Sequence, residues 1–185
     1  MNNGSMENGQ PLQTDRELIS QARRGNPAAF HQLVDRYGAA LFGLACRLVG
    51  NEADAQDVMQ EMLTGAFRGL SAFRHQSSVK TWLTQILVRQ AARHHRDAAR
   101  YRLKLHGQAP AARLSDQRRA DVRMDLDEAI AALSQEHREV IVLRELQGLS
   151  YDEIAAVLNL PPGTVESRLF RARRELRDLL KEYRQ

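Results

Sequence analysis

An aromatic ring sits among arginines in the stretch Thr164-Val165-Glu166-Ser167-Arg168-Leu169-Phe170-Arg171-Ala172-Arg173-Arg174. On a helix turning 100° per residue, Ser167, Arg171 and Arg174 point away from Val165, Leu169 and Leu176; Phe170 lies beside them and Arg168 and Arg173 flank them. Water gives no reason to place a phenyl ring there. A major groove does, because arginine grips guanine O6 and N7 and an apolar ring meets a thymine methyl, while flanking arginines reach phosphates. Residue chemistry therefore points to DNA reading, with Thr164 at the start of the reading helix. Glu166 counts against it, since a carboxylate repels phosphate, although it can accept from a cytosine amino group.

Two further stripes have binding chemistry. Trp82, Arg89, Arg93, Arg96 and Arg100 share a narrow angular band if one helix carries them all, the pattern of a track for a nucleic-acid backbone. A run of arginines repels itself and so calls for an anionic partner. Trp82 can stack on a base or anchor the preceding loop; taken alone, a tryptophan is more often core. On a helix of about residues 53–70, Met59, Met62, Leu63, Ala66 and Leu70 share one face; Asp54, Asp57 and Glu61 line the opposite one, with Gln60 at its edge. Spacing alone favours an ordinary solvated face for these acids, because carboxylates early in a helix complement its dipole.

Catalytic chemistry has no foothold. There is no glycine-rich phosphate loop, nucleophile elbow or carboxylate–histidine constellation, and His94 and His95, without a cysteine cluster or HExxH spacing, read as polar surface residues or weak DNA contacts and not as metal ligands. The expectation is a protein with no catalytic residue, metal or cofactor.

The elements that position these stripes are helical. The chain has 185 residues, 43% of them hydrophobic, and 27 Lys and Arg against 23 Asp and Glu give a net charge of +4. Residues 89–123 hold ten of the basic residues and only Asp97, Asp116 and Asp121 as acids, so the rest of the chain is net acidic. Apolar residues recur at helical spacing from Thr14 to about Tyr101 and again from Asp125 onward, with no convincing period-2 run. Between them, around Gly107 and Pro110, the pattern dissolves. The expected architecture is all-α: a disordered tail over 1–13, a helical domain over 14–101, a flexible basic linker over 102–123 and a second helical domain over 124–185. In the second domain, Ser150 with Glu153 forms a capping box, Asn159-Leu160-Pro161-Pro162-Gly163 forces a turn, and a helix restarting at Thr164 buries Val165, Leu169, Ala172, Leu176, Leu179 and Leu180. That is a helix-turn-helix. A lone Cys46 excludes an internal disulfide and reads as a small core residue. The absence of a signal-peptide pattern or a spanning apolar run predicts a cytoplasmic protein without membrane insertion.

Five motifs in order resemble a known family: Asp54-Ala55-Gln56-Asp57-Val58-Met59-Gln60-Glu61, Ser71-Ala72-Phe73-Arg74, Lys80-Thr81-Trp82-Leu83, Gly148-Leu149-Ser150-Tyr151-Asp152-Glu153-Ile154-Ala155, and the arginine-rich stretch from Gly163 to Arg173. Together they resemble an extracytoplasmic-function sigma factor of bacterial RNA polymerase, from about Thr14 to Lys181. The resemblance implies a protein that binds core polymerase (its beta and beta-prime subunits), directs it to promoters and opens the DNA. It moves Asp54, Asp57, Gln60 and Glu61 to a polymerase-docking surface. It assigns the loop with Arg74, His75 and Ser77, together with Lys80 and the helix after it, to the minus-ten element, where a non-template base is flipped into a pocket. It assigns the helix from Thr164 to Arg174 to the minus-thirty-five element, and it implies an anti-sigma partner. Arg89 and Arg93 stand where the family often has Asn and Asp, and Glu166 where a basic residue is frequent, so the promoter sequence does not carry over. The competing reading is a stand-alone helix-turn-helix regulator that binds operator DNA without polymerase; symmetric operators usually imply a dimer, and no heptad seam is evident.

Overall fold

Thr14 opens the first helix with a reciprocal cap: its hydroxyl accepts the Glu17 amide at 3.3 Å and the Glu17 carboxylate accepts the Thr14 amide at 2.8 Å. Helix α1 (Asp15–Arg23) follows, and α2 (Pro27–Val49) starts from an Asn26 cap with proline in its first turn. Gly50, at φ +90°, lets the chain leave α2 in a left-handed conformation open mainly to glycine. Asn51 then caps α3 (Glu52–Gly69), a 3₁₀ turn spans Leu70–Ala72, and α4 runs over Val79–His106. The second lobe holds α5 (Leu126–Ala132), α6 (Gln135–Ile141), a wider π-type turn (Val142–Leu146), α7 (Tyr151–Leu158) and α8 (Pro162–Glu182). This computed structural model describes residues 6–7, 10–11, 13–106 and 126–182.

Three boundaries differ from the sequence expectation. Met6–Glu7 pairs antiparallel with Gln10–Pro11 inside the segment read as a tail, separated in sequence by Asn8-Gly9, residue types suited to two-residue hairpins. Helix α4 continues through His106, and most of the expected linker lies outside the described residues. Helix α8 starts at Pro162, two residues before Thr164, because a first-turn proline surrenders an amide that has no intrahelical partner anyway.

Packing places one apolar core through both lobes, from Leu18, Leu44, Met62 and Leu87 to Ile141, Ile154 and Leu169. The lobes are in contact: α4 packs on α7, and α2 on α5 and α6. Arg138 closes the end of α5 by donating to the carbonyls of Ile130, Ala131 and Leu133, and its burial lowers its pKa. Cys46 is half-buried against the core.

Candidate nucleic-acid interface

The helix-turn-helix forms as a local consequence of its sequence. Ser150 Oγ accepts the Glu153 amide at 3.2 Å, the Glu153 carboxylate accepts the Ser150 amide at 2.9 Å, and Asn159 ends α7 in the left-handed region. Val165, Leu169 and Ala172 are fully buried and fix the roll of α8; a buried leucine contributes about 1.5–3 kcal/mol. Leu176, Leu179 and Leu180 are only half-buried, so the expected inward stripe loosens along the second half of α8, where Leu176 and Leu180 border an open groove of about 560 Å³ with Ile141 and Arg177.

The roll set by that packing leaves Ser167, Phe170, Arg171 and Arg174 in solvent, with Phe170 70% exposed. Thr164 is half-buried, and its carbonyl accepts the Ser167 hydroxyl at 3.0 Å. The flanking arginines differ from their expected freedom. Arg168 is half-buried and paired with Glu136 at 3.0 Å, and Arg173 is paired with Glu145 at 2.7 Å, which, with Tyr151, raises its pKa. Glu136 comes from α6 and Glu145 from the π-type turn after it, both beyond the reach of helical periodicity. The outward face in the first half of α8 thus offers the Phe170 ring, the Ser167 hydroxyl and the Arg171 and Arg174 guanidinium groups.

On α4 the stripe is divided. Arg89, Arg93, Arg96 and Arg100 are exposed, but Asp97 lies 3.7 Å from both Arg93 and Arg100, so the self-repulsion expected of the run is partly relieved from within the helix. The i,i+4 and i,i+3 spacings are visible in the sequence. Trp82, on the same band, is half-buried and packs on Phe73 at 4.7 Å between ring centroids, the contact of a loop anchor, whereas Phe170 stands in solvent. Lys80 is also half-buried, its Nζ donating to the Gln147 carbonyl at 2.6 Å. Between Phe73 and α4, Arg74, His75 and Ser77 are exposed, and His75 holds a left-handed backbone (φ +54°) with its ring against Phe73. Sequence reasoning missed Arg23, which pins this loop by donating to the carbonyls of Leu70 and Phe73.

His94 Nε2 lies 3.3 Å from Asp54, and His95 Nε2 lies 3.0 Å from the Leu48 carbonyl, so both bind the lobe together. Among the described residues no group of three His, Cys, Asp or Glu is placed to hold a metal ion, and no helix is long and apolar enough to cross a membrane.

Helix α3 presents Asp57, Gln60 and Glu61 in solvent; Asp54 is half-buried by His94 and by Asn51. Phe67, seven residues after Gln60 and therefore on the same face, is 60% exposed and meets Phe30 edge-on at 5.4 Å. This aromatic end of the ridge was legible from its spacing but escaped the search for charge.

Comparisons with known proteins join these surfaces. The family models described as Sigma-70 region 2 and Sigma-70, region 4 match residues 33–101 and 123–176. The chain is 35% identical to the RNA polymerase sigma-H factor of Pseudomonas aeruginosa, over 91% of this chain and 96% of that protein. It is 33% identical to the ECF RNA polymerase sigma-E factor of Haemophilus influenzae, over 86% of this chain and 92% of that one. The chain belongs to the extracytoplasmic-function sigma factors. As a sigma factor it directs RNA polymerase in transcription initiation. Among solved structures this sigma factor is similar to RpoE in complex with the anti-sigma factor NepR from Bartonella quintana (TM-score 0.70, 30% identity, 82% of this chain and 96% of that one). It is also similar to CnrH in complex with the cytosolic domain of CnrY (TM-score 0.68, 33% identity, 91% and 97%). The two matched regions correspond to the two lobes, so the acidic ridge and the α4 stripe fall in region 2 and the exposed face of α8 in region 4.

Proposed function

We propose that this sigma factor divides its work among three surfaces. Asp57, Gln60 and Glu61 dock core polymerase, with Phe67 as an apolar anchor beside the charges, the composition that carries energy at interfaces. Arg171, Phe170 and Ser167 read base edges of the minus-thirty-five element, and Arg174 contacts its backbone. The loop with Arg74, His75 and Ser77 meets the minus-ten strand, and Arg89, Arg93, Arg96 and Arg100 track phosphates. The protein acts in the cytoplasm as an initiation factor without chemistry of its own and needs no cofactor. The complexes of RpoE with NepR and of CnrH with CnrY support an anti-sigma partner for this chain as well.

The carrying observation is the simultaneous exposure of an aromatic-and-arginine face on a buried-stripe helix and of a carboxylate ridge on the other lobe. Titration of the purified protein with core polymerase and fluorescent promoter fragments tests it. The expected result is a ternary complex with strand opening, and loss of polymerase association in Asp57→Arg with the fold unchanged by circular dichroism. Tight promoter binding without polymerase association favours the stand-alone regulator, and retained docking by Asp57→Arg returns the ridge to an ordinary solvated face.

A further inference from the structure

Helix α1 ends on a side chain that reaches into another element. Leu18, Ile19 and Ala22 are buried and fix the roll of α1, and Arg23, its last residue, extends to the 3₁₀ turn that precedes the exposed loop over residues 74–78. Arg23 Nε donates to the Leu70 carbonyl at 2.9 Å, and its Nη2 donates to the Phe73 carbonyl. The turn's own bond, from the Phe73 amide to the Leu70 carbonyl, is long at 3.4 Å, so the turn relies on support from outside. A planar guanidinium fork serves two carbonyls at once. Arg23 lies before the segment that matches Sigma-70 region 2, residues 33–101, so the match assigns it no role.

The chain beyond Phe73 needs that hold. His75 takes φ +54°, a left-handed conformation in which a residue with a side chain persists only when its surroundings over-determine it. Its ring lies 4.8 Å from that of Phe73, which in turn lies 4.7 Å from that of Trp82. Phe73 is thus the middle ring of a row of three, it is buried, and Arg23 holds its carbonyl. At the far end of the loop, Ser78 Oγ accepts the Thr81 amide at 3.0 Å and caps α4. Arg74, His75 and Ser77, all exposed, lie between two anchored ends.

We propose that Arg23 is a positioning residue for minus-ten recognition: its fork fixes the carbonyl edge from Leu70 to Phe73 and, through Phe73, the left-handed turn at His75, so that Arg74, His75 and Ser77 meet the non-template strand in one arrangement. The proposal rests on the assignment of this loop to the minus-ten strand. A loop that visits several arrangements binds with an apparent affinity reduced by the fraction of molecules in the competent one, and it loses base preference as the others bind indifferently. Lysine offers a point charge in place of a planar fork, so it keeps the attraction for phosphate without reproducing the hold.

Arg23→Lys and Arg23→Gln in the full chain test the role, beside a triple variant that combines Arg74→Ala, His75→Ala and Ser77→Ala. Each is assembled with core polymerase and bound to promoter fragments carrying single-base changes at minus ten and at minus thirty-five. Both Arg23 variants should lose about ten-fold of preference among minus-ten bases. Preference at minus thirty-five and affinity for polymerase should stay within about two-fold of wild type, because those surfaces are distant. Trp82, the only tryptophan in the chain, reads the loop without DNA or polymerase: acrylamide should quench its fluorescence more strongly in both Arg23 variants, with the far-ultraviolet circular dichroism unchanged. Full minus-ten preference in Arg23→Lys, equal losses at both promoter elements, or unchanged quenching overturns the role of Arg23. Loss of preference in the triple variant alone leaves the loop assignment standing and makes Arg23 an ordinary structural residue, whereas preference kept by the triple variant overturns the assignment itself.

Discussion

Helices α4 and α8 both carry arginines, but the fold treats them in opposite ways. On α8 a buried stripe fixes the roll, and Glu136 and Glu145 pair with Arg168 and Arg173, so the outward face that remains for a ligand is short: Ser167, Phe170, Arg171 and Arg174. On α4 four arginines extend over three turns with Asp97 alone among them, and the helix start is covered by the other lobe. A short face suits recognition of individual base pairs; a long stripe of lightly restrained cations suits a polymer of phosphates. Charge count alone would have ranked the two helices together. What separates them is which charges already have partners.

The largest expected effect frees the roll of α8. Leu169→Ala should cost about 2–5 kcal/mol of stability in thermal or chemical unfolding and abolish minus-thirty-five discrimination, because the roll of α8 rests on that side chain. A stability loss of that size from a substitution on the exposed face, such as Phe170→Ala, would contradict the assignment of inside and outside.

Acid should act at the point where the two regions meet. The Glu153 carboxylate accepts from the Ser150 amide and the Thr81 hydroxyl and lies near Lys80, and these contacts lower the Glu153 pKa from the usual carboxylate value. A group lowered on folding contributes stability that is present above its unfolded pKa and lost as pH falls through the folded one. Stability of α7 and closure of the lobes should therefore hold at neutral pH and decline below the ordinary glutamate range, and Glu153→Gln should flatten that decline in pH-dependent unfolding. Tyr37 gives a control at the other extreme: burial and its bond to Asp15 push it up to about 12, so its contribution should be intact below pH 10 and fade as pH approaches 12.

Much of this was legible locally. The Ser150 and Glu153 cap, the Asn159 stop and the outward set on α8 follow from spacing within a dozen residues, and so does the acidic ridge of α3. What escaped was contact at long range. Nothing near Arg168 or Arg173 in sequence names Glu136 or Glu145 as partner, and Thr81 and Glu153 meet across 72 residues. Trp82 shares a band with Arg89 by periodicity, yet Phe73 covers it because the loop before α4 folds back onto the helix. Asp97 was a different failure, since its spacing from Arg93 and Arg100 was in plain view.

The smallest effect sharpens the description of α4. Asp97→Asn frees Arg93 and Arg100 from a pair of exposed, 3.7 Å contacts, so stability should change by less than about 1 kcal/mol while binding to nonspecific DNA rises slightly at low salt. A stability loss well beyond that would make the trio structural and shorten the phosphate track.

The division between reading and tracking is tested most directly by one measurement: polymerase–promoter affinity across a panel of single base-pair changes and salt concentrations, for wild type, Arg171→Ala and Arg96→Ala. Arg171→Ala should lose about 1–3 kcal/mol at one minus-thirty-five base pair and erase preference there, while Arg96→Ala should weaken all sequences alike and reduce the salt slope by about one. Uniform loss from both substitutions, or base preference lost with Arg96→Ala, would contradict the account.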